Sequence, residues 1–171
     1  PKIYETGAHP DDMDEFKMDS YADADYTANY TRRTTSGWVV YLNGGPISWG
    51  SRLQKICAQS TAEAEIIAAT DCAKEVIHVR TMLNDFGYED QLAKPTIIYE
   101  DNQVALLMCN NEKSNKGAKH FEVRVRFLQD CVSEDKSIQF QPISTDDQVA
   151  DVFTKPLVAV KFKKFASRLV N

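Results

Sequence analysis

The chain has 171 residues, a formal net charge of −5 and a hydrophobic fraction of 43%. This length suffices for one domain with its own core, and no apolar run is long enough to span a membrane. The acidic balance is not that of a typical nucleic-acid-binding protein, although an acidic metal site lowers the net charge even when basic residues cluster elsewhere.

The N-terminal segment and the cysteines indicate the cellular compartment. The chain begins with Pro1 and not with Met, so we expect it to be part of a longer protein. Residues 1–15 are polar and acidic, which predicts a loose leader and excludes a signal-peptide pattern. The four cysteines are widely spaced and form no C-x-x-C pair. This spacing favours reduced thiols in an intracellular protein over a disulfide framework or a zinc site.

Three consecutive strands are predicted before the first helix. Residues 16–26 alternate in polarity, and residues 37–42 are rich in aromatic and β-branched side chains. Asn43 and Gly44 form an Asn-Gly hairpin signal. The returning strand is predicted to begin at residues 47–49 and to resume around Ile56.

The longest helix signal covers residues 59–87. Ser60 and Glu63 form a capping box at its start, and Gly87 is a suitable stop. One stripe of this helix is apolar or small, through Ala62, Ile66, Ala69, Ala73, Val76 and Leu83. Glu65 lies at the flank of that stripe. A charged side chain in such a position is more often solvated than part of a site.

The second half of the chain is predicted to alternate short strands with helices. Residues 95–102 contain a short apolar run bounded by Pro95 and Asn102, which predicts a buried strand. The following elements are a helix at 102–110, a basic loop at 111–119, a helix at 120–132, an edge strand at 138–143, a helix at 148–154 opened by a capping box at 145–148, and a basic amphipathic helix at 157–170. The order predicts an α/β fold with a mixed five-stranded sheet, three antiparallel strands then two parallel, and helices on both faces.

Four acidic residues lie where predicted elements end or meet. Asp23 is near the end of the first strand, Glu65 flanks the long helix, Asp101 follows the apolar strand, and Asp151 lies in the late helix. If the first and fourth strands are adjacent and parallel, Asp23 and Asp101 come together at one edge. Converging carboxylates do not all stay ionised without cations, and such oxygen-rich clusters suit Mg²⁺ or Mn²⁺. Two such ions about 4 Å apart are the arrangement used for phosphodiester cleavage.

Most of these candidates have alternatives. Asp25 lies on the same strand face as Asp23, so periodicity does not separate the two. Glu63 is explained by its capping box, and Glu100 points away from the side of its strand that carries the candidate aspartate. Asp151 lies opposite the apolar residues of its helix, which fits either solvent or the rim of a cleft.

Seven short motifs identify a resemblance that spans about residues 20–157. In order, they are SYADADY (20–26), TSGW (35–38), PISW (46–49), STAEAEI (60–66), YEDNQVA (99–105), AKHFE (118–122) and DQVADVFTKPL (147–157). Together they resemble the ribonuclease H domain of copia-type LTR retrotransposon polyproteins. The combination is specific, although each motif alone is weak.

The resemblance implies a ribonuclease H-like fold and an enzyme that cuts the RNA strand of RNA–DNA hybrids. The implied catalytic residues and metal ligands are Asp23, Glu65, Asp101 and Asp151. The implied cofactor is a pair of Mg²⁺ ions, for which Mn²⁺ can substitute. The implied partners are the hybrid and an upstream reverse transcriptase domain of the same polyprotein. No membrane partner is implied. The implied location is a cytoplasmic virus-like particle.

Substrate contacts are predicted at the rim of this site and in the basic loops. The candidate substrate-binding residues are Thr61, Asn102, Gln103, Arg33, Lys119 and His120. For Thr61 the competing interpretation is helix capping, for the basic residues it is ordinary solvation, and for His120 it is packing at a helix start. Arg126 stands where the family often has a further histidine, and no histidine lies between His120 and Asp151.

The predicted domain organisation is a leader at 1–15, a ribonuclease H-like domain at 16–157 and a C-terminal amphipathic helix at 158–171. The helix has a basic face and an apolar face that packs on this domain or on a partner; the apolar face consists of Val160, Phe162, Phe165 and Leu169. Two rival functions stay open. One is an inactive ribonuclease H-like tether or scaffold, and the other is a different nuclease or transferase of the same fold, such as an integrase.

Overall fold

One mixed sheet forms the centre of the molecule. A computed structural model describes residues 16–26, 33–110 and 122–170. The strands are β1 (Met18–Asp25), β2 (Thr35–Leu42), β3 (Gly45–Leu53), β4 (Thr96–Glu100) and β5 (Ile138–Pro142). They lie in the order β3-β2-β1-β4-β5. β1, β2 and β3 pair antiparallel, whereas β4 pairs parallel with both β1 and β5. The predicted mixed five-stranded sheet is therefore confirmed.

Helices cover both faces of this sheet. The α-helices are α1 (Thr61–Asp85), α2 (Gln103–Asn110), α3 (Glu122–Ser133) and α4 (Ala159–Leu169), and two short 3₁₀ helices span Asp90–Leu92 and Val149–Phe153. The second of these is called the late 3₁₀ helix below. On the side of α1, α2 and α3, the core includes Ile66, Ile98 and Leu128. On the side of α4 and the late 3₁₀ helix, it includes Val39 and Phe165. Among the described helices, none has the length and apolar content needed to cross a membrane.

The ends of α1 follow the predicted signals. Ser60 is the N-cap, and its Oγ accepts a hydrogen bond of 3.1 Å from the backbone N–H of Glu63. The Glu63 carboxylate accepts in return from the backbone N–H of Gln59, at 2.7 Å. At the other end, Gly87 has a φ of 88°, a conformation that glycine adopts without steric cost. The capping box and the glycine stop are confirmed.

The β2–β3 hairpin also follows its turn signal, but β3 is longer than predicted. Asn43 and Gly44 both have positive φ, as a two-residue hairpin turn requires. β3 then runs unbroken from Gly45 to Leu53. Gly50 explains this continuity, because a Cβ there would lie 2.2 Å from a ring carbon of Trp38. The missing side chain lets the Trp38 ring cover the strand, and the predicted interruption after residue 49 is wrong.

The late segment differs from its prediction in helix type and in capping. The predicted helix at 148–154 is a 3₁₀ helix, and its N-cap is Gln148, so the predicted capping box at 145–148 is wrong. The buried Gln148 side chain accepts from the N–H of Ala150 and donates to the carbonyl of Ala22 at 2.8 Å. This amide attaches the late 3₁₀ helix to β1.

The C-terminal helix packs on the domain through part of its apolar face. Phe165 is fully buried, and Leu169 packs partly against the same cluster. Val160 is 82% exposed and Phe162 is 50% exposed, so these two residues contribute little to the packing.

Candidate metal centre

Three of the four predicted acids come together at one edge of the sheet. Asp23, Glu65 and Asp101 each offer a carboxylate oxygen, and these oxygens lie within 4.8 Å of one another. Asp23 and Glu65 are buried, whereas Asp101 is half-buried. Asp25, the alternative on the first strand, lies outside this group.

The parallel pairing of β1 with β4 brings the two aspartates together. Tyr21 and Tyr99 are direct partners in this ladder. Asp23 and Asp101 each follow two positions later in the chain, so both lie where their strands reach the same edge. The hydroxyl of Thr145 donates a hydrogen bond of 2.8 Å to Asp101 Oδ2, which fixes the orientation of that carboxylate.

Small side chains bring the start of α1 to the same edge. Ala24 of β1 packs in one cluster with Ala64 and Ala68 of α1. This close approach covers the flank of the helix and buries Glu65. The interpretation of Glu65 as a solvated edge residue is therefore wrong. The burial of a side chain at the flank of the helix depends on how closely the helix and the sheet approach.

Burial and mutual repulsion favour the protonated forms of two of these acids. Burial raises the pKa of Asp23 to about 6, against opposing effects of Lys155 and Thr154. Burial also raises the pKa of Glu65 well above its usual range, and the charges of Glu100, Asp23 and Asp101 raise it further. Glu65 Oε2 is buried and has no hydrogen-bond partner among the described residues. A cluster of carboxylate oxygens with such an orphan fits a hard divalent cation such as Mg²⁺ or Mn²⁺.

The fourth predicted acid, Asp151, has a different environment. It is fully buried, and it is not part of the three-carboxylate group. Lys155 Nζ lies 2.7 Å from its Oδ1, and Lys161 Nζ of α4 donates to its Oδ2 at 2.7 Å. Neither solvent nor the rim of a cleft, the two alternatives for Asp151, describes this position, because the late 3₁₀ helix packs against the sheet and two ammonium groups surround the buried carboxylate.

Lys155 connects Asp151 with the three-carboxylate group. Its Nζ also lies 3.5 Å from Asp23 Oδ2, and the neighbouring Thr154 hydroxyl donates to the same oxygen. Burial lowers the pKa of Lys155, but the charges of Asp23, Asp151 and Asp101 outweigh burial and raise it. Neither residue was predicted to belong to the site. The only signal in the sequence is their place in the TKPL part of the motif at 147–157, with Lys155 four residues after Asp151.

Glu100 is a third residue of the site that the sequence patterns did not indicate. It is fully buried, and its Oε1 accepts a hydrogen bond of 2.9 Å from the backbone N–H of Asn102. Burial raises its pKa well above the usual range. Glu100 is thus a buried acid close enough to raise the pKa of Glu65.

The predicted substrate residues differ in their exposure and contacts. Thr61, Gln103 and Arg33 are exposed. Asn102 Oδ1 accepts from the backbone N–H groups of Val104 and Ala105, each at 3.0 Å, so this side chain caps α2. The remaining candidates lie outside the described residues, namely Lys119 and His120. The roles of all six in substrate binding stay predictions.

Curated relatives match most of this chain. It is 35% identical over 147 residues to the "Retrovirus-related Pol polyprotein from transposon TNT 1-94" of Nicotiana tabacum, which covers 85% of the chain and 11% of that relative. It is 33% identical over 153 residues to the polyprotein from transposon RE1 of Arabidopsis thaliana, which covers 89% of the chain and 10% of the relative. The chain thus spans about a tenth of the length of these relatives. No protein-family model matches it.

Solved structures show the same fold. LC11-RNase H1, isolated from compost, superposes with a TM-score of 0.55 at 17% identity, over 81% of this chain and 92% of that one. A structure of LC11-RNase H1 in complex with an RNA/DNA hybrid also gives a TM-score of 0.55, at 15% identity, over 81% of this chain and 94% of that one. The chain therefore has the ribonuclease H fold and belongs to the family of the retrovirus-related Pol polyproteins of transposons.

Proposed function

We propose that this chain is a ribonuclease H of a copia-type retrotransposon, which hydrolyses the RNA strand of RNA–DNA hybrids with the help of divalent metal ions. The observation that carries the proposal is the group formed by Asp23, Glu65 and Asp101 at the edge where β1 and β4 end. The hybrid in the LC11-RNase H1 complex supports this class of substrate.

The described residues would supply different numbers of ligands to two ions. Asp23, Glu65 and Asp101 would hold one ion, and Asp151 with Asp23 would supply ligands for a second. When bound, Mg²⁺ lowers the pKa of a water molecule and stabilises charge on the leaving oxygen. The chain itself contributes the converging carboxylates and the hydroxyl of Thr145, which orients Asp101. Preorganised groups of this kind do not have to rearrange when charge develops during the reaction.

The exposed residues around the carboxylates would bind the hybrid. Thr61 at the start of α1 and Gln103 at the start of α2 are exposed and can donate hydrogen bonds to sugar or phosphate oxygens. Arg33 is exposed two residues before β2, which begins opposite the end of β1. Its guanidinium suits a phosphate. Selectivity for RNA would then depend on the 2′-hydroxyl and on the groove shape of the hybrid.

We infer further that the domain acts beside a reverse transcriptase within one polyprotein. The polyprotein relatives are about ten times longer than the matched segment, which leaves room for other domains. The corresponding setting is an intracellular particle in which reverse transcription produces the hybrid.

The test is a cleavage assay with Mg²⁺ on three labelled substrates: an RNA–DNA hybrid, double-stranded RNA and double-stranded DNA. We expect cutting of the RNA strand of the hybrid and no cutting of duplex DNA. Comparable cutting of duplex DNA would favour the integrase-like alternative. Metal binding without any cleavage would favour the tether or scaffold.

A further inference from the structure

We propose that Lys155 is a built-in cation at the second metal position, and that its ammonium group competes with a divalent ion for Asp151 and Asp23. This inference rests on the proposed function. It adds that the two metal positions fill at different ion concentrations. Lys155 determines the higher of these two concentrations.

Two lysine side chains form ion pairs with Asp151. Lys155 Nζ lies 2.7 Å from Asp151 Oδ1 and 3.5 Å from Asp23 Oδ2, so one ammonium bridges two carboxylates of the predicted ligand set. Lys161 takes the other oxygen of Asp151 at 2.7 Å. Each oxygen of Asp151 thus has an ammonium group beside it, Oδ1 in an ion pair without a hydrogen bond and Oδ2 in a hydrogen bond, and a divalent ion that uses this residue competes with an ammonium group.

The exposure of the lysines makes that displacement feasible. The side chain of Lys155 is 32% exposed and that of Lys161 is 22% exposed, whereas the Asp151 side chain is inaccessible. A lysine ammonium sits on a flexible four-carbon stem and is strongly hydrated in water. Lys155 can therefore move its charge into solvent without a change in the backbone of the late 3₁₀ helix.

On the side of the site that faces α1, the described part of the chain places no such competitor. Among the described residues, Glu65 Oε2 has no hydrogen-bond partner, and no lysine or arginine forms an ion pair with Glu65 or Asp101 within 4.0 Å. A first ion held by Asp23, Glu65 and Asp101 therefore meets Lys155 only at Asp23, where Nζ lies at the longer distance of 3.5 Å, and reaches Glu65 and Asp101 without displacing a cation of the described residues. A second ion gains its attraction to Asp151 only after the lysine attraction has been lost, which lowers its net affinity.

The experiment measures binding of Mn²⁺ to the substrate-free protein by electron paramagnetic resonance and by calorimetry. For the wild type we expect one ion at low concentration and a second at a much higher one. In Lys155→Met the second ion should bind at least about tenfold more tightly, while the first should change little. Lys163→Met is the matched control, because it removes the same charge from an exposed side chain on α4.

Two further variants sharpen the outcome. Adding Asp151→Asn to Lys155→Met should abolish the gain in affinity, because the carboxylate that Lys155 had occupied is then gone. Lys155→Gln provides the same comparison if Lys155→Met fails to fold. The inference is overturned if the second ion binds Lys155→Met, or Lys155→Gln, no more tightly than Lys163→Met. Failure of the proposed function would instead appear as wild-type protein that binds Mn²⁺ but leaves the hybrid uncut.

Discussion

Tyr21 and Tyr99 are direct partners across the parallel β1–β4 ladder, and their rings stack with centroids 5.0 Å apart. The pair fixes the register of the two strands that carry Asp23 and Asp101. A shift of one residue between the strands would turn one aspartate to the opposite face of the sheet.

Removal of the Asp101 charge should separate catalysis from stability. We expect Asp101→Asn to reduce hybrid cleavage by roughly a thousandfold or more, as for the loss of a preorganised electrostatic group. The thermal midpoint should stay equal or rise, since the change relieves repulsion among close carboxylates. A cleavage assay and a thermal melt on the same preparation check both points. Cleavage that survives the change would remove Asp101 from the metal site.

The two aspartates at the end of β1 should behave differently. Asp23 belongs to the three-carboxylate group and Asp25 does not, although both lie on one face of the strand. Asp23→Asn should therefore lower the cleavage rate by several orders of magnitude, and Asp25→Asn far less. Both rates are to be measured at saturating Mg²⁺. If Asp25→Asn were the inactive variant, the first metal ligand would have to be reassigned.

The stability of the metal-free protein should depend on pH through Asp23. Its pKa is about 6 in the folded protein, above the ordinary value of 3.8. A carboxyl with a raised folded pKa contributes stability that is fully present below about pH 4 and is lost as the pH rises through about 6. At roughly 1.4 kcal/mol per pKa unit, the loss is at most about 3 kcal/mol.

Urea unfolding between about pH 4 and pH 7.5 measures this effect. Asp23→Asn should flatten the dependence relative to the wild type, whatever its effect on the absolute free energy of unfolding. Mg²⁺ should raise the thermal midpoint of the wild type more at about pH 7.5 than at about pH 5, because the ion requires ionised carboxylates. Equal stabilisation by Mg²⁺ at the two pH values would contradict the assignment.

Binding of the hybrid should weaken with salt, and Arg33 should account for part of this dependence. Arg33→Gln should reduce the slope of log affinity against log salt by about one unit, the value for one phosphate contact. Lys136→Gln is the control, because Lys136 is exposed just before β5, at the end of the parallel strands away from the site. Fluorescence anisotropy with labelled hybrid and Ca²⁺ measures both slopes. An unchanged slope for Arg33→Gln would exclude Arg33 from phosphate binding.

The contact between Gly50 and Trp38 should make β3 sensitive to a single methyl group. The Cβ of Gly50→Ala would lie 2.2 Å from the buried Trp38 ring, so the ring or the strand must move. We expect destabilisation of roughly 1–3 kcal/mol in urea unfolding. Gly45→Ala is the control in the same strand, since its Cβ would meet only an ordinary contact of 3.6 Å. Equal loss in both variants would mean that strand propensity, not the ring contact, is responsible.

Local signals predicted the elements of this fold more reliably than the environments of individual acids. The Ser60 capping box and the Gly87 stop depend on neighbouring residues alone, so the sequence located the ends of α1 closely. The burial of Glu65 depends on how near α1 approaches β1, which no local pattern specifies. The environment of Asp151 also depends on tertiary packing, since its partner Lys161 lies on another helix.

The packing of α4 also determines where the domain can be cut. Phe165 is fully buried, and Arg168 donates a hydrogen bond of 2.7 Å to the hydroxyl of Tyr21. A fragment cut just after Leu157 would uncover Val39 and lose the contact of Lys161 with Asp151 at the same time. An intact domain therefore needs α4, so its shortest stable fragment extends beyond the seven motifs, the last of which ends at Leu157.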